Sequence, residues 1–322
     1  NEEPWFKLGW INQLKLRAAY GETGQQPAVN SALRTYSATT GGDGTSAVSP
    51  QALGNPDLKP ERGREVELGF DGAFLNERVS AELTFYRRNT SDGILSQDVA
   101  PSSGFAGQRF INIGGIQSQG VELMTRWNAV QRDKFNLDFG FNISNNDNQV
   151  TDIGAVPFLQ LGSIRHTVGR PVGSWYDYKI VSADYNPTTK RAENMMCDDG
   201  NKGSTPCLNA LLQPVAPRVY IGRTDPSLEG AFNTTITLFR SIRLYGQLDF
   251  KGGHRVLNNN DRARCQVFAQ CLANLEPQDY DPVFVAQAQS SSGALRQWTY
   301  QQAKYMRLRE ISAAYQLSPR WA

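Results

Sequence analysis

Long uninterrupted runs of apolar residues are missing from this sequence of 322 residues. A membrane-spanning helix needs about 20 consecutive, mostly apolar residues, so the sequence excludes a helical membrane protein. The hydrophobic content is 39% and the mean hydropathy is −0.48. Strands of a membrane β-barrel remain compatible with these values, because such strands are apolar on only one of their two faces.

An excess of charge of either sign is also missing. The chain has 33 Lys and Arg residues against 31 Asp and Glu residues, and the positive residues are scattered. Binding of nucleic acid requires a concentrated basic surface, so we expect no nucleic-acid partner.

Residues for a catalytic centre are scarce. The two histidines, His166 and His254, give little from which to build a catalytic triad, and no serine lies in a Gly-x-Ser-x-Gly motif. The glycine-rich residues 41–44 lack the Gly-Lys-Ser/Thr sequence that cradles a phosphate. The sequence therefore predicts no catalytic residues and no cofactor, and indicates that the protein is not an enzyme.

Cysteine is limited to four residues in two close pairs, Cys197 with Cys207 and Cys265 with Cys271. Local disulfide bonds in an oxidising compartment are the prediction, with free or metal-binding thiols as the alternative. Zinc sites usually have tighter spacing. Residues 197–201 (CDDGN) offer oxygen ligands suited to Ca²⁺, but the full calcium-loop spacing is absent, and we predict no metal site.

What the chain does have is an alternation of apolar and polar residues with a period of two. This period is typical of β-strands whose two faces meet different surroundings. Residues 13–20 place leucines on one face and basic residues on the other. Residues 64–74 and 79–86 continue the pattern as a hairpin with a tight turn at 75–78. These runs approach the length of about 9–11 residues that a membrane-spanning strand needs.

Further strands follow the same pattern. They are predicted near residues 121–128, 135–144, 228–238, 242–251 and 305–317. In the last of them Arg307 and Arg309 break the alternation, which predicts a β-bulge or an exit from the membrane.

Tight turns and long loops alternate between these strands, about eight in number. The long loops are predicted near residues 21–63, 90–117, 145–226 and 252–303. A soluble β-sandwich has loops of mixed length at both ends, whereas outer-membrane barrels have short periplasmic turns and long extracellular loops. The sequence predicts an all-β fold, a partial transmembrane antiparallel β-barrel with its apolar face towards lipid.

Several segments resemble those of SusC/RagA-type TonB-dependent outer-membrane transporters, and they follow one another in the expected order. They are residues 14–24 (LKLRAAYGETG), 55–61 (NPDLKPE), 112–114 (NIG) with 119–122 (QGVE), 168–178 (VGRPVGSWYDY) and 305–312 (YMRLREIS). The Pro-x-Gly-Ser sequence and aromatic ending of residues 168–178 resemble the SusC branch in particular.

The resemblance implies that residues 1–322 are part of the β-barrel domain of a TonB-dependent receptor, with the plug domain and the final strands outside them. The implied barrel has about 22 strands. The implied location is the outer membrane of a Gram-negative bacterium, in contact with its lipid. The implied partners are the TonB–ExbB–ExbD complex, a SusD-like lipoprotein and a nutrient ligand.

The resemblance thus predicts TonB-dependent import of a large nutrient, either a glycan or a peptide. A second interpretation is a receptor for a siderophore or cobalamin that has no lipoprotein lid. A third, from a different class, is a secreted β-rich binding or adhesion protein, whose apolar strand faces would be buried against each other. The sequence does not identify the substrate.

Aromatic residues in the predicted loops are the candidate contacts for a ligand or partner. They are Trp175, Tyr176, Tyr178, Trp298 and Tyr300. Such side chains stack on sugar rings or pack on a lipoprotein surface, while packing within the loops is the competing interpretation.

Overall fold

A computed structural model of the protein describes residues 9–105, 107–154, 156–290 and 295–317. Its largest element is one antiparallel sheet of eight strands, in which each strand is hydrogen-bonded to the next. The strands are β1 (Ile11–Gln25), β2 (Glu61–Phe74), β3 (Val79–Asp98), β4 (Gln108–Arg132), β5 (Phe135–Asp152), β6 (Leu228–Leu238), β7 (Ile242–Gly252) and β8 (Tyr305–Tyr315). We call this sheet the wall. The eight strands that the alternation predicts are confirmed.

The register between neighbouring strands places apolar residues beside apolar residues across the wall. One row of paired residues is apolar and consists of Leu16, Phe70, Leu83, Leu123 and Ile143. The adjacent row is mostly polar and consists of Arg17, Gly69, Thr84, Glu122 and Ser144. A slip of one residue would exchange the two faces, so the register keeps one face of the wall apolar and the other polar.

No second layer buries the apolar face of the wall within the described residues. Phe85, Val121 and Trp127 lie on inner strands of the sheet, yet they remain 43%, 42% and 50% exposed. Burial of apolar surface is the main stabilising contribution in a water-soluble fold, and a large uncovered apolar surface marks contact with something else. Lipid is the surrounding that suits a sheet with one apolar and one polar face. No helix among the described residues has both the length and the apolar character needed to span a membrane.

A β-bulge resolves the broken alternation near the end of the chain. The pairing partner along β7 moves from Glu310 to Leu308 in one step, which leaves Arg309 as the extra residue of β8. Leu308 thereby returns to the apolar face. Arg307 and Arg309 place guanidinium nitrogens 2.9 and 3.1 Å from the carboxylate of Asp249. The bulge predicted from Arg307 and Arg309 is confirmed.

Short turns join neighbouring strands at one end of the wall, where the strands begin and end. They comprise residues 75–78, 133–134 and 239–241. Leu75, Asn76 and Glu77 all adopt positive φ angles, between 55° and 63°, which allows the chain to reverse within a few residues.

The connections at the opposite end of the strands are loop 1 (26–60), loop 2 (99–107), loop 3 (153–227) and loop 4 (253–304), of which loops 1, 3 and 4 are long. The predicted long loop at 90–117 is wrong, because β3 and β4 stay paired as far as Asp98 with Gln108. Beyond the membrane a strand needs no apolar face, whereas its backbone groups still need hydrogen-bond partners. The sequence pattern therefore ends before the strands do.

The loops contain secondary structure of their own. Loop 1 holds the hairpin Thr35–Thr40 with Ser46–Ala52, and loop 2 the 3-10 turn Pro101–Ser103. Loop 3 holds a four-stranded sheet of Leu159–Leu161, Ile164–His166, Ser174–Asp177 and Val219–Arg223, and a three-stranded sheet of Ile180–Asn186, Arg191–Asp198 and Ser204–Pro206. Loop 4 holds the strand pair Arg255–Leu257 with Tyr300–Gln302, and helix α1 (Pro282–Ala288). It also contains five shorter helical segments, at Asn259–Arg262, Ala263–Val267, Leu272–Leu275, Pro277–Asp279 and Gln297–Thr299.

Candidate functional site

The polar face of the wall carries charged side chains on adjacent strands. Arg17 pairs with Asp71 at 2.8 Å, and Lys251 pairs with Glu229 at 2.7 Å. A groove of roughly 470 Å³ on this face is bordered by Glu82, Thr84, Glu122, Asn142, Glu229 and Lys251, among others. Glu82 and Glu122 have no ion-pair partner among the described residues. A water-filled interior tolerates such charges, as the sequence predicts for this face.

Loops 3 and 4 are joined through the strand Ser174–Asp177. Successive side chains of a strand point to opposite sides, so Trp175 and Asp177 share one side and contact loop 4. The carboxylate of Asp177 accepts hydrogen bonds from Arg296 Nε at 3.0 Å and from the Tyr300 hydroxyl at 2.6 Å. Arg296 also donates to Ser163 Oγ at 2.6 Å. These bonds connect residues that lie more than a hundred positions apart in the sequence.

This junction is buried. Asp177 is 2% exposed and Tyr300 is 1% exposed. Burial, together with the nearby negative charge of Asp177, raises the pKa of Tyr300 to about 12. The phenol therefore stays protonated at neutral pH and donates its hydrogen bond to the carboxylate. A buried carboxylate with a cationic partner and further donors is satisfied in a way that an isolated one is not.

Three of the five predicted aromatic residues take part in packing within and between these loops. The indole N–H of Trp175 donates to the backbone oxygen of Arg255 at 2.9 Å, and its ring centroid lies 5.3 Å from that of Tyr300. Trp298 meets Phe284 edge-on at 5.3 Å. The predicted role of Trp175, Trp298 and Tyr300 in binding a ligand or partner stays a prediction, while the geometry adds a structural role.

The other two predicted aromatic residues, Tyr176 and Tyr178, lie beside arginines that the sequence analysis missed. The guanidinium carbon of Arg165 is 4.7 Å from the Tyr176 ring, and that of Arg218 is 5.4 Å from the Tyr178 ring. The Tyr176 ring in turn meets Tyr220 edge-on at 6.0 Å. Neither strand periodicity nor a sequence motif marks these two arginines, because they come from two separate segments of loop 3.

Both pairs of cysteines are disulfide-bonded in the structure, each with a Cα–Cα separation of 4.9 Å. Cys197 and Cys207 are completely buried in a core that also contains Ala286 of α1 and Leu295 of loop 4. The first disulfide therefore lies where loop 3 packs against loop 4. The second closes a short segment within loop 4.

The partial calcium-like sequence at 197–201 is satisfied by local contacts. The carboxylate of Asp199 accepts hydrogen bonds from the backbone N–H groups of Asn201 and Gly203, and Asp198 pairs with Lys179 at 3.2 Å. Within the part of the chain that the structure describes, no cluster of three or more His, Cys, Asp or Glu side chains is placed to hold a metal ion.

Comparison with known proteins gives consistent matches. Residues 5–210 match the family described as "TonB dependent receptor-like, beta-barrel". The chain is 30% identical over 194 residues to TonB-dependent receptor P26 of Formosa agariphila, covering 54% of this chain and 20% of that protein. It is 26% identical over 286 residues to TonB-dependent receptor SusC of Bacteroides thetaiotaomicron, covering 77% of this chain and 28% of SusC.

A solved structure has the same fold. The chain superimposes on the RagAB peptide importer in its closed-closed state with a TM-score of 0.75 and 21% identity, covering 98% of this chain and 35% of that one. In each comparison the chain spans about a third of the relative's length or less. The chain belongs to the TonB-dependent receptor family, and its wall is part of the β-barrel that this family forms in the outer membrane of Gram-negative bacteria.

Proposed function

We propose that the full-length protein imports a large nutrient, a glycan or a peptide, across the outer membrane with energy supplied through TonB. The observation that carries this proposal is the wall, with short turns at one edge and folded loops at the other, in a member of this receptor family. The similarity to SusC and to a peptide importer supports the two nutrient classes. The role is one of transport and not of catalysis.

In this proposal residues 1–322 all belong to the barrel domain, and the plug domain and further strands belong to the rest of the full-length protein. The short share of the relatives' length that the chain covers supports this division. Force would reach the transporter from TonB–ExbB–ExbD through the plug, while the wall and loops described here bind and enclose the nutrient.

We further propose a SusD-like lipoprotein that covers the outer loops. The similarity of residues 168–178 to the SusC branch supports this partner, and the structure places these residues in loop 3. Loop 3 is held to loop 4 by the Asp177 junction, so the two loops offer one joined surface to such a lid.

The test is a strain in which the gene is deleted and then restored. We expect the deletion to abolish growth on one class of oligomeric glycan or peptide and to leave growth on the corresponding monomer unchanged, and we expect an uncoupler to block uptake of the oligomer in the restored strain. A growth defect confined to iron or cobalamin limitation would instead favour a receptor without a lid. Purification of the tagged protein in mild detergent tests the partner, since the proposal requires a lipoprotein to remain bound.

A further inference from the structure

Three arginines of loop 3 form a group on the side of the four-stranded sheet that faces away from the Asp177 junction. Tyr176 points to that side, opposite to Trp175 and Asp177. The guanidinium carbon of Arg165 contacts two rings, at 4.0 Å from the centroid of Phe158 and 4.7 Å from that of Tyr176. The remaining contacts of the group are those of Arg170 with Tyr220 at 4.7 Å and of Arg218 with Tyr178 at 5.4 Å. We call Arg165, Arg170 and Arg218 with these rings the arginine–tyrosine cluster.

None of the three arginines has a carboxylate partner among the described residues. This distinguishes them from the arginines that hold the loops together. Arg223, in the same small sheet, pairs with Asp147 and Asp225, and Arg296 pairs with Asp177. The arginines that hold the loops together thus have carboxylate partners, whereas the cluster keeps an uncompensated positive charge.

The geometry leaves the guanidinium edges available. The one side-chain hydrogen bond that the cluster arginines make to described residues is from Arg165 Nε to Gln160 Oε1, at 2.9 Å. Stacking on an aromatic ring occupies the face of a guanidinium group and leaves the N–H groups in its plane free to bind an oxyanion. Burial lowers the pKa of Arg165, and the positive charge of Arg218 acts in the same direction. An anion placed at the cluster would relieve this repulsion.

The cluster also lies at the rim of the wall. The backbone oxygen of Arg170 accepts a hydrogen bond from the N–H of Val150, near the outer end of β5, at 2.9 Å. Arg170 itself is exposed, and Arg165 and Arg218 are half-buried. A ligand that approaches the outer edge of the barrel therefore has access to the cluster.

We propose that the arginine–tyrosine cluster binds the carboxylate of a sugar acid, so that the ligand of this protein is an acidic oligosaccharide. The inference rests on the proposed function for import, but binding can be measured without transport. Guanidinium groups bind carboxylates in a bidentate manner. Tyr178 and Tyr220 have hydroxyls with no hydrogen-bond partner among the described residues, and these match the hydroxyls of a sugar ring. A peptide carboxylate would use the arginines and leave these hydroxyls without a role.

The experiment measures binding to the purified full-length protein in detergent by calorimetry. The probe is a linear tetragalacturonate, and its fully methyl-esterified form is the neutral control of equal size. We expect Arg165→Gln and Arg170→Gln each to weaken tetragalacturonate binding about tenfold, the loss expected for one charge-assisted hydrogen bond. Arg34→Gln is the matched control, because Arg34 also lies over an aromatic ring, 5.5 Å from Phe105, but stands alone in loop 1.

Arg170→Gln guards against misfolding, because Arg170 is exposed and its replacement leaves the packing of the sheet intact. The proposal is supported if tetragalacturonate binds more tightly than its ester, and if its binding weakens in the cluster variants but not in Arg34→Gln. Equal binding of acid and ester, no binding of either, or equal effects of all three substitutions overturns it. Binding of tetraglutamate in place of the uronide, lost in the cluster variants, overturns the sugar assignment. Failure of any of these leaves the test of import by gene deletion untouched.

Discussion

Asp177 shows how much the outer loops depend on single side chains. Its carboxylate receives Arg296 from 119 positions and Tyr300 from 123 positions further along the chain. Its neighbour Tyr176, one position earlier, points to the opposite side and contacts Arg165. Three consecutive residues, 175–177, thus divide between holding loop 4 and building a charged surface, because side chains of a strand alternate.

The pKa of Tyr300 leads to a prediction about alkaline pH. Its folded-state pKa of about 12 lies above the ordinary tyrosine pKa of 10.0, so its stabilising contribution is fully present below pH 10 and is lost as the pH rises towards 12. The charged groups that face it are Asp177 and Arg296, with the guanidinium of Arg255 at its backbone oxygen. We expect the protection factors for hydrogen exchange in loops 3 and 4, which correct for base-catalysed intrinsic exchange, to fall over this range in the wild type. Tyr300→Phe should show lower protection at neutral pH and a weaker further fall; identical pH profiles of protection would contradict the assignment.

A single substitution at Leu83 tests which face of the wall meets lipid. It pairs with Phe70 and Leu123 in the apolar row. In the full-length protein Leu83→Lys should lower the free energy of unfolding by about 2–4 kcal/mol, the cost of a lysine at mid-membrane on a lipid-facing strand. Leu137 lies on the apolar face of β5, and its replacement by lysine should lower the free energy of unfolding by a similar amount.

Ser144→Lys is the matched control for these substitutions. Ser144 pairs with Glu122 and Glu229 on the polar face, where a lysine meets two carboxylates. The change in stability is measured by urea unfolding in lipid vesicles. A neutral effect of Leu83→Lys, or an equal loss in Ser144→Lys, would contradict the assignment of the two faces.

At the scale of the element, the strands could be read from the sequence wherever one face meets an apolar surrounding. The turn at 75–78 and the bulge at Arg309 were both visible, because each interrupts a regular alternation. The outer parts of β3 and β4 were not, because strands in water are held by backbone hydrogen bonds that leave no period of apolar residues.

The candidate site was less accessible to sequence reasoning than the wall. The aromatic residues of loops 3 and 4 stood out by type, but their partners did not. Arg165 and Arg170 lie near each other in the chain, and Arg218 joins them because the distant strand Val219–Arg223 pairs with Ser174–Asp177. No local pattern encodes such contacts, so the cluster and the Asp177 junction appear only in the folded structure.

The disulfide Cys197–Cys207 should stabilise the contact between loops 3 and 4. Its sulfurs lie in the core shared with Ala286 and Leu295, so replacing both cysteines by alanine removes a cross-link and leaves the wall unchanged. Disulfides typically contribute about 2–4 kcal/mol. We expect faster hydrogen exchange in residues 180–206 and in α1.

The double variant Cys265→Ala with Cys271→Ala is the control for this disulfide. It removes a cross-link within loop 4, beside Ala273 and Ala288, so its effect should stay within residues 259–288. If both double variants accelerate exchange in residues 180–206 equally, this would contradict a specific role of Cys197–Cys207 where loops 3 and 4 pack together.

At the scale of the whole molecule, the wall has few buried apolar residues, and most of the buried apolar core lies in the loops. The buried apolar clusters lie in loops 3 and 4 and at the outer ends of β4 and β5. The apolar side chains of the wall remain partly exposed. A sheet of this kind is stable where lipid covers one face and a polar interior meets the other.

The position of each face of β3 relative to lipid is the decisive measurement for the orientation of the wall. Single cysteines replace Glu82, Leu83, Thr84 and Phe85 in the full-length protein, and each carries a fluorophore in vesicles with brominated acyl chains; the native cysteines are disulfide-bonded and do not react. We expect strong quenching at positions 83 and 85 and weak quenching at 82 and 84. Equal quenching at all four positions, or the reverse alternation, would contradict a barrel wall with its apolar face in the membrane.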